Sequence, residues 1–205
     1  VTDPHRAGHE LMYYPGEVTL RIADVVVINK IDSADPESIN IVRESIEKVN
    51  PKATVIDAAS PIKVDDPSVI RGKNVLVVED GPTLTHGEMK LGAGILAARK
   101  YGAAGIIDPR PYVVGKLKET FSLYPGIGTL IPAMGYGEQQ LRDLEKSINN
   151  TKCDSVIVAT PIDLKRIINI KKPATRVYYD LQEIGDPTLS QVLDEFVAKK
   201  KLKTK

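Results

Sequence analysis

The sequence predicts an α/β protein built on doubly wound parallel sheets, and three observations carry that expectation. Short β-branched runs recur along the chain, amphipathic helical stretches separate them, and turn residues mark most of the junctions. Strands that alternate with helices in this way are joined by right-handed crossovers and therefore run parallel.

The elements follow in order. Ala23 to Ile28 is a buried strand, bounded by charge. Asp35-Pro36-Glu37 then supplies a cap, a proline for the first helical turn and an early acid. Ile39, Val42, Ile46 and Val49 continue at helical spacing until Asn50-Pro51 stops the helix. Ala53 to Ile56 is the next strand. The polar stretch Ile62 to Lys73 reads as a linker, which divides the chain into residues 1–64 and 65–205. Beyond it come a strand at Asn74 to Val78 and a helix at Glu88 to Tyr101. Short strands at Gly105 to Ile107 and Gly128 to Ile131 flank a helix near Tyr112 to Tyr124. A helix at Glu138 to Asn149 leads to the strand Ser155 to Ala159, and Thr175 to Tyr179 is expected to be the last strand. The closing helix carries Leu189, Val192, Leu193, Phe196 and Val197 on one face. Lys199 to Lys205 reads as its frayed end, with cations set against the macrodipole.

Composition narrows the function classes. Of 205 residues 42% are hydrophobic and 27% charged, which is ordinary for a globular chain. A net charge of +1 argues against a nucleic-acid surface, and no apolar run has the length of a membrane span. Cys153 is the lone cysteine, so no disulfide framework or cysteine metal site is expected, in keeping with a reducing cytoplasm. His5 and His9 lie near Asp3 and Glu10, but Pro4 and Gly8 make that segment a loop, and no metal site is assigned to it. Val1-Thr2-Asp3 has the look of a strand end and its loop without a preceding Met. The expectation is a parent protein that continues upstream.

One motif carries most of the functional reading. Asn29-Lys30-Ile31-Asp32 directly follows the run Val25 to Ile28. Guanine presents two adjacent N–H donors on one edge, and a carboxylate at a strand end accepts both. Asp32 is the acceptor in this reading, Asn29 braces the loop or reaches the purine, and the Lys30 stem lies against the base face. Adenine lacks that donor pair, so a site of this kind discriminates between the bases. After the next strand, the small residues Ala58, Ala59 and Ser60 allow backbone amides to approach the base carbonyl. The alternative is a polar strand-to-helix turn with no ligand.

The stretch Asp24 to Asp32 resembles the base-recognition strand of P-loop GTPases, particularly the metallochaperone branch. Asp3-Pro4-His5-Arg6, Tyr14-Pro15-Gly16-Glu17 and Glu79-Asp80-Gly81-Pro82-Thr83-Leu84-Thr85-His86-Gly87 extend the likeness over nearly the whole chain. Together they resemble an archaeal and bacterial family of predicted GTPases that includes cyclic 2,3-diphosphoglycerate synthetase, and they correspond to its C-terminal half. The resemblance implies a P-loop NTPase remnant followed by a Rossmann-like domain. It also implies GTP or ATP as nucleotide, with Mg²⁺ in the intact parent, and hydrolase or ligase chemistry. The family's phosphate loop ends in Lys-Ser/Thr, and this sequence contains no Gly-x-x-x-x-Gly-Lys-Ser/Thr. The chain alone is therefore expected to be inactive, its missing partner being the N-terminal region of the same protein. Asp3 and Arg6 are expected near the phosphate and Mg²⁺ region.

A second candidate site comes from loops that follow strands of the second domain, where a doubly wound sheet lines its ligand crevice. Asp80 to Gly87, Asp108-Pro109-Arg110-Pro111, Gly135-Tyr136-Gly137 and Thr160-Pro161 are such loops. Thr83, Thr85, His86 and Arg110 are the residues expected to hold a small phosphorylated metabolite. The bland reading of each loop is a capped helix or a terminated strand. The sequence leaves a homo-oligomer open.

Overall fold

The computed structural model describes residues 1–81 and 92–203. The protein is α/β and divides into two compact units, Val1–Pro61 with Tyr179–Lys205, and Ile62–Tyr178. Among the described residues no helix is long and apolar enough to cross a membrane.

The first unit opens with two turns of 3-10 helix, at Pro4–Arg6 and His9–Leu11, followed by α1 (Gly16–Ile22). Strand β1 (Val25–Ile28) pairs in parallel with β2 (Thr54–Ala59), and α2 (Pro36–Val49) makes the crossover between them. As the sequence indicates, Asp35 caps α2, its carboxylate accepting from the Ser38 N–H at 2.8 Å. Val42 and Ile46 seat the helix against Val26 and Ile28. Asn50 closes the layer by donating its side-chain amide to Leu20 O and Ala23 O. On the outer edge of β1, Thr2 forms a parallel bridge with Ile28.

Two expectations change here. Strand β9 (Gln182–Ile184) pairs antiparallel with β2, so this sheet is mixed rather than wholly parallel. Gln182-Glu183-Ile184 has no apolar run to announce it, because pairing along an edge uses backbone groups. Residues 179–205, grouped with the second domain in the sequence reading, contribute β9 and α6 (Leu189–Lys203) to the first unit. Leu189 and Val192 of α6 pack against Val27, Ile56 and Ala58, whereas Leu193, Phe196 and Val197 are exposed.

The second unit is a six-stranded sheet in the order β3-β8-β7-β4-β5, with β6 also paired to β4. Its strands are β3 (Ile62–Val64), β4 (Asn74–Asp80), β5 (Gly105–Ile106), β6 (Ile131–Ala133), β7 (Ser155–Ala159) and β8 (Ala174–Tyr179). The expected linker at Ile62 to Lys73 holds β3 and a 3-10 turn at Pro67–Val69, with Lys100 Nζ and Tyr101 Oη donating to Ile62 O. Strand β4 is the axis. Its beginning pairs with β5, its end with β6, and its other side with β7, all in parallel. Helices α3 (Ala93–Lys100), α4 (Lys116–Leu123) and α5 (Glu138–Asn150) complete the unit.

The end of β4 is fastened to α3 by Glu79. This carboxylate is buried and accepts from the Ile95 N–H at 3.0 Å, at the helix start. Burial pushes its pKa above the ordinary value, against the hydrogen bonds from Ile95 and Gly94. Space for a side chain is short there: a Cβ on Gly92 would stand 1.2 Å from Glu79 Oε2 and displace that carboxylate, and one on Gly94 would meet Val77, Glu79 and Ala159.

Two outcomes follow. Gly92→Ala should cost about 1–3 kcal/mol through overpacking, read as a lowered denaturation midpoint. A raised Glu79 pKa favours folding below about pH 4.5, the unfolded value, and that contribution is lost as pH rises through the folded value. Glu79→Gln should therefore gain stability relative to the wild type between acid and neutral pH, measured by denaturation at several pH values. A difference independent of pH would show that Glu79 does not titrate in this way.

Candidate functional site

In the first unit the sequence-selected residues converge at the carboxyl edge of β1 and β2. Asn29 directly follows β1, its N–H donating to Thr2 O at 3.1 Å. Its side-chain oxygen accepts from the Lys30 N–H at 2.8 Å. That bond accompanies a left-handed Lys30, with φ of 61°, a conformation that costs a non-glycine residue about 1 kcal/mol. The Lys30 ammonium then reaches Asp3 at 2.6 Å. Asp3 also accepts from the His5 N–H, and the His5 ring contacts the Ser33 hydroxyl at 2.9 Å.

Asp32 lies exposed just beyond this knot and accepts from the Ser60 N–H at 3.0 Å. The Ile31 N–H donates to Ala58 O at 3.1 Å. These two bonds tie the loop after β1 to the end of β2. Ala58 and Ala59 are placed inside β2 and buried, in register with Glu183 and Gln182 of β9. Ser60 is the first residue of the loop itself. Arg6 stands exposed on the 3-10 turn. The structure thus gathers Asp3, Asn29, Lys30, Asp32 and Ser60 into one linked group.

The second unit has a reversal point at β4. The crossovers leave it on one side towards β5 and β6 and return on the other towards β7 and β8, the place where open α/β sheets bind ligands. Register shows which residues share a face there. Asp80 lies two residues beyond Val78, which is level with Val158, and Val158 is level with Arg176. Asp80 and Arg176 therefore share the face opposite Glu79. Tyr136 follows β6, and burial together with the Asp80 charge holds its pKa above the ordinary value. Its hydroxyl is buried without a hydrogen-bond partner among the described residues, as is Nε of Arg176, whose Nη2 donates to Pro161 O at 2.8 Å.

Of the expected phosphate ligands, Thr83, Thr85 and His86 lie outside the described residues. Arg110 is engaged locally: its guanidinium donates to Asp108 at 2.8 Å and to Ile127 O, and lies 5.3 Å from the Phe121 ring. Thr160 donates its hydroxyl to Ile162 O at 2.6 Å. Arg176 escaped the sequence reading because a lone arginine within an alternating strand carries no local signal. Tyr136 lay in a loop already singled out, but the burial of its hydroxyl is a tertiary property. Among the described residues no group of three or more His, Cys, Asp or Glu is placed to hold a metal ion.

No family model matches the chain. Over 196 residues, 96% of its length, it is 62% identical to a protein from Thermococcus kodakarensis named arginine synthetase ArcE. The matched stretch makes up 44% of that relative, so the chain spans less than half the length of the curated protein it matches. That name is one of a synthetase and lends no support to GTP binding or hydrolysis. The chain is homologous to part of a protein named as a synthetase.

Proposed function

We propose that the first unit is the base-reading part of a nucleotide-dependent synthetase, with guanine as the preferred base. The observation that carries this reading is the Asp32–Ser60 hydrogen bond, which joins the two loops between which a purine edge would lie. A carboxylate has about four lone-pair sites, and one backbone N–H leaves most of them available to a ligand. The strained Lys30 supports the same reading, since backbone strain of this kind collects at ligand clamps.

The residues present suit the base. They do not include the phosphate loop, so phosphate and Mg²⁺ contacts would belong to other parts of a polypeptide as long as the relative. There the bound nucleotide would supply the driving force for bond formation, while Asn29, Lys30 and Asp32 hold and orient its base. The relative's name, arginine synthetase, supports a reaction of the synthetase class, with arginine as its product. The resemblance to cyclic 2,3-diphosphoglycerate synthetase points to the same class, with ATP as the nucleotide. Under that second reading Asp32 is a loop brace, because adenine does not offer paired donors.

Titration of fluorescent GTP and ATP analogues separates the two readings, with this chain and a polypeptide of the relative's length as samples. Asp32→Ala should weaken the guanine nucleotide by about tenfold or more, equivalent to about 1.4 kcal/mol, and leave the adenine nucleotide unchanged. Equal affinity for both nucleotides before substitution would remove the guanine preference.

A further inference from the structure

Beside the end of β6, between α4 and α5, lies a cavity of about 140 Å³. Leu117, Pro132, Ala133 and Leu144 form an apolar floor, and all four are buried. Lys116 and Glu119 stand exposed at the rim, three residues apart on α4 and so on neighbouring positions of one helix face. Despite opposite charges, neither side chain is ion-paired among the described residues.

Most of the remaining polar groups of the lining are already engaged, the Gln140 amide nitrogen excepted. Asp143 is buried and accepts from the Lys116 N–H at 3.2 Å and from Gln139 Nε2 at 2.9 Å. It is also what holds the first turn of α4 in place: Gly115 has a φ of 56°, and a Cβ there would stand 2.1 Å from the Asp143 carboxylate. Gln140 Oε1 accepts from the Gly137 N–H, and the Thr120 hydroxyl donates to Lys116 O. What the cavity offers a ligand is therefore an apolar interior and one uncommitted charge of each sign at its mouth.

A simple anion would meet Glu119 and Asp143, and a simple cation would meet Lys116. A zwitterion with an apolar stem satisfies both signs and fills the floor. We propose that this cavity binds a free α-amino acid, its aliphatic side chain inside, its carboxylate facing Lys116 and its ammonium facing Glu119. The assignment stands apart from the nucleotide reading of the first unit, and either can fail without the other.

The test is calorimetric titration of the whole chain with L-leucine, with its decarboxylated amine 3-methylbutylamine, and with its deaminated acid 4-methylpentanoate. Exposed charges contribute little in water, so affinity should be roughly millimolar, with leucine about tenfold tighter than either analogue. Lys116→Ala should bring leucine down to the level of the amine, while the amine, relieved of a like charge, binds no more weakly than before. Glu119→Gln should bring it down to the level of the acid. Thr120→Phe, which fills the mouth from a partly exposed position, should abolish binding without lowering the denaturation midpoint. Both charged residues are exposed, so these variants keep the fold. Equal binding of the three compounds, or no binding of leucine up to about 20 mM, would overturn the assignment.

Discussion

The second unit depends on keeping a carboxylate out of water at the end of its central strand. Val75 to Val78 are completely buried, and β4 has partners on both sides. Placing a glutamate one residue from the end of such a strand would be costly without compensation. The start of α3 supplies it, because helix-terminal N–H groups have no partners within their own helix and the dipole there favours negative charge. The same contact demands that the helix backbone come close, hence glycine at 92 and 94. Strand, helix and carboxylate are thus one unit, and their alignment sets where Asp80 emerges on the opposite face.

In the first unit, charge and backbone geometry do comparable work on a smaller scale. Asn29 supports the backbone of Lys30, and Asp3 takes its ammonium. Asp32 is thereby left at the rim, facing the loop after β2. The Arg43–Asp57 ion pair ties α2 to β2 one residue before Ala58, although one oxygen of Asp57 is buried with no hydrogen-bond partner among the described residues. Exposed ion pairs of this kind contribute little individually. Their role here is to hold positions, so that two loops from different strands meet at one edge.

The α/β class was legible because burial on both faces leaves continuous apolar runs such as Val75 to Val78 and Val156 to Val158. The Asp35 cap of α2 and the Asn50-Pro51 stop were legible because local chemistry decides helix ends. What stayed hidden was decided elsewhere in the chain. Strand β9 exists because β2 has an edge to pair with, and Gln182-Glu183-Ile184 shows nothing of that. Ala58 and Ala59 read as a loop of small residues, yet pairing with β9 draws them into β2. In the candidate site, the strand-end motif was visible as a run of four residues, whereas Tyr136 and Arg176 acquire significance only when sheet register brings them to the edge beside Asp80.

The two margins of the first sheet differ in a way that bears on how it can grow. On one side β9 is three residues long and is followed by Gly185 and Pro187, a poor template for another strand. On the other, β1 is already engaged by Thr2, which donates to Val27 O at 2.8 Å and accepts from Asn29. That bridge is parallel. The residue after this bridge is Asp3, which takes the ammonium of Lys30, so the same few residues both occupy the margin of β1 and hold the lysine of the base loop.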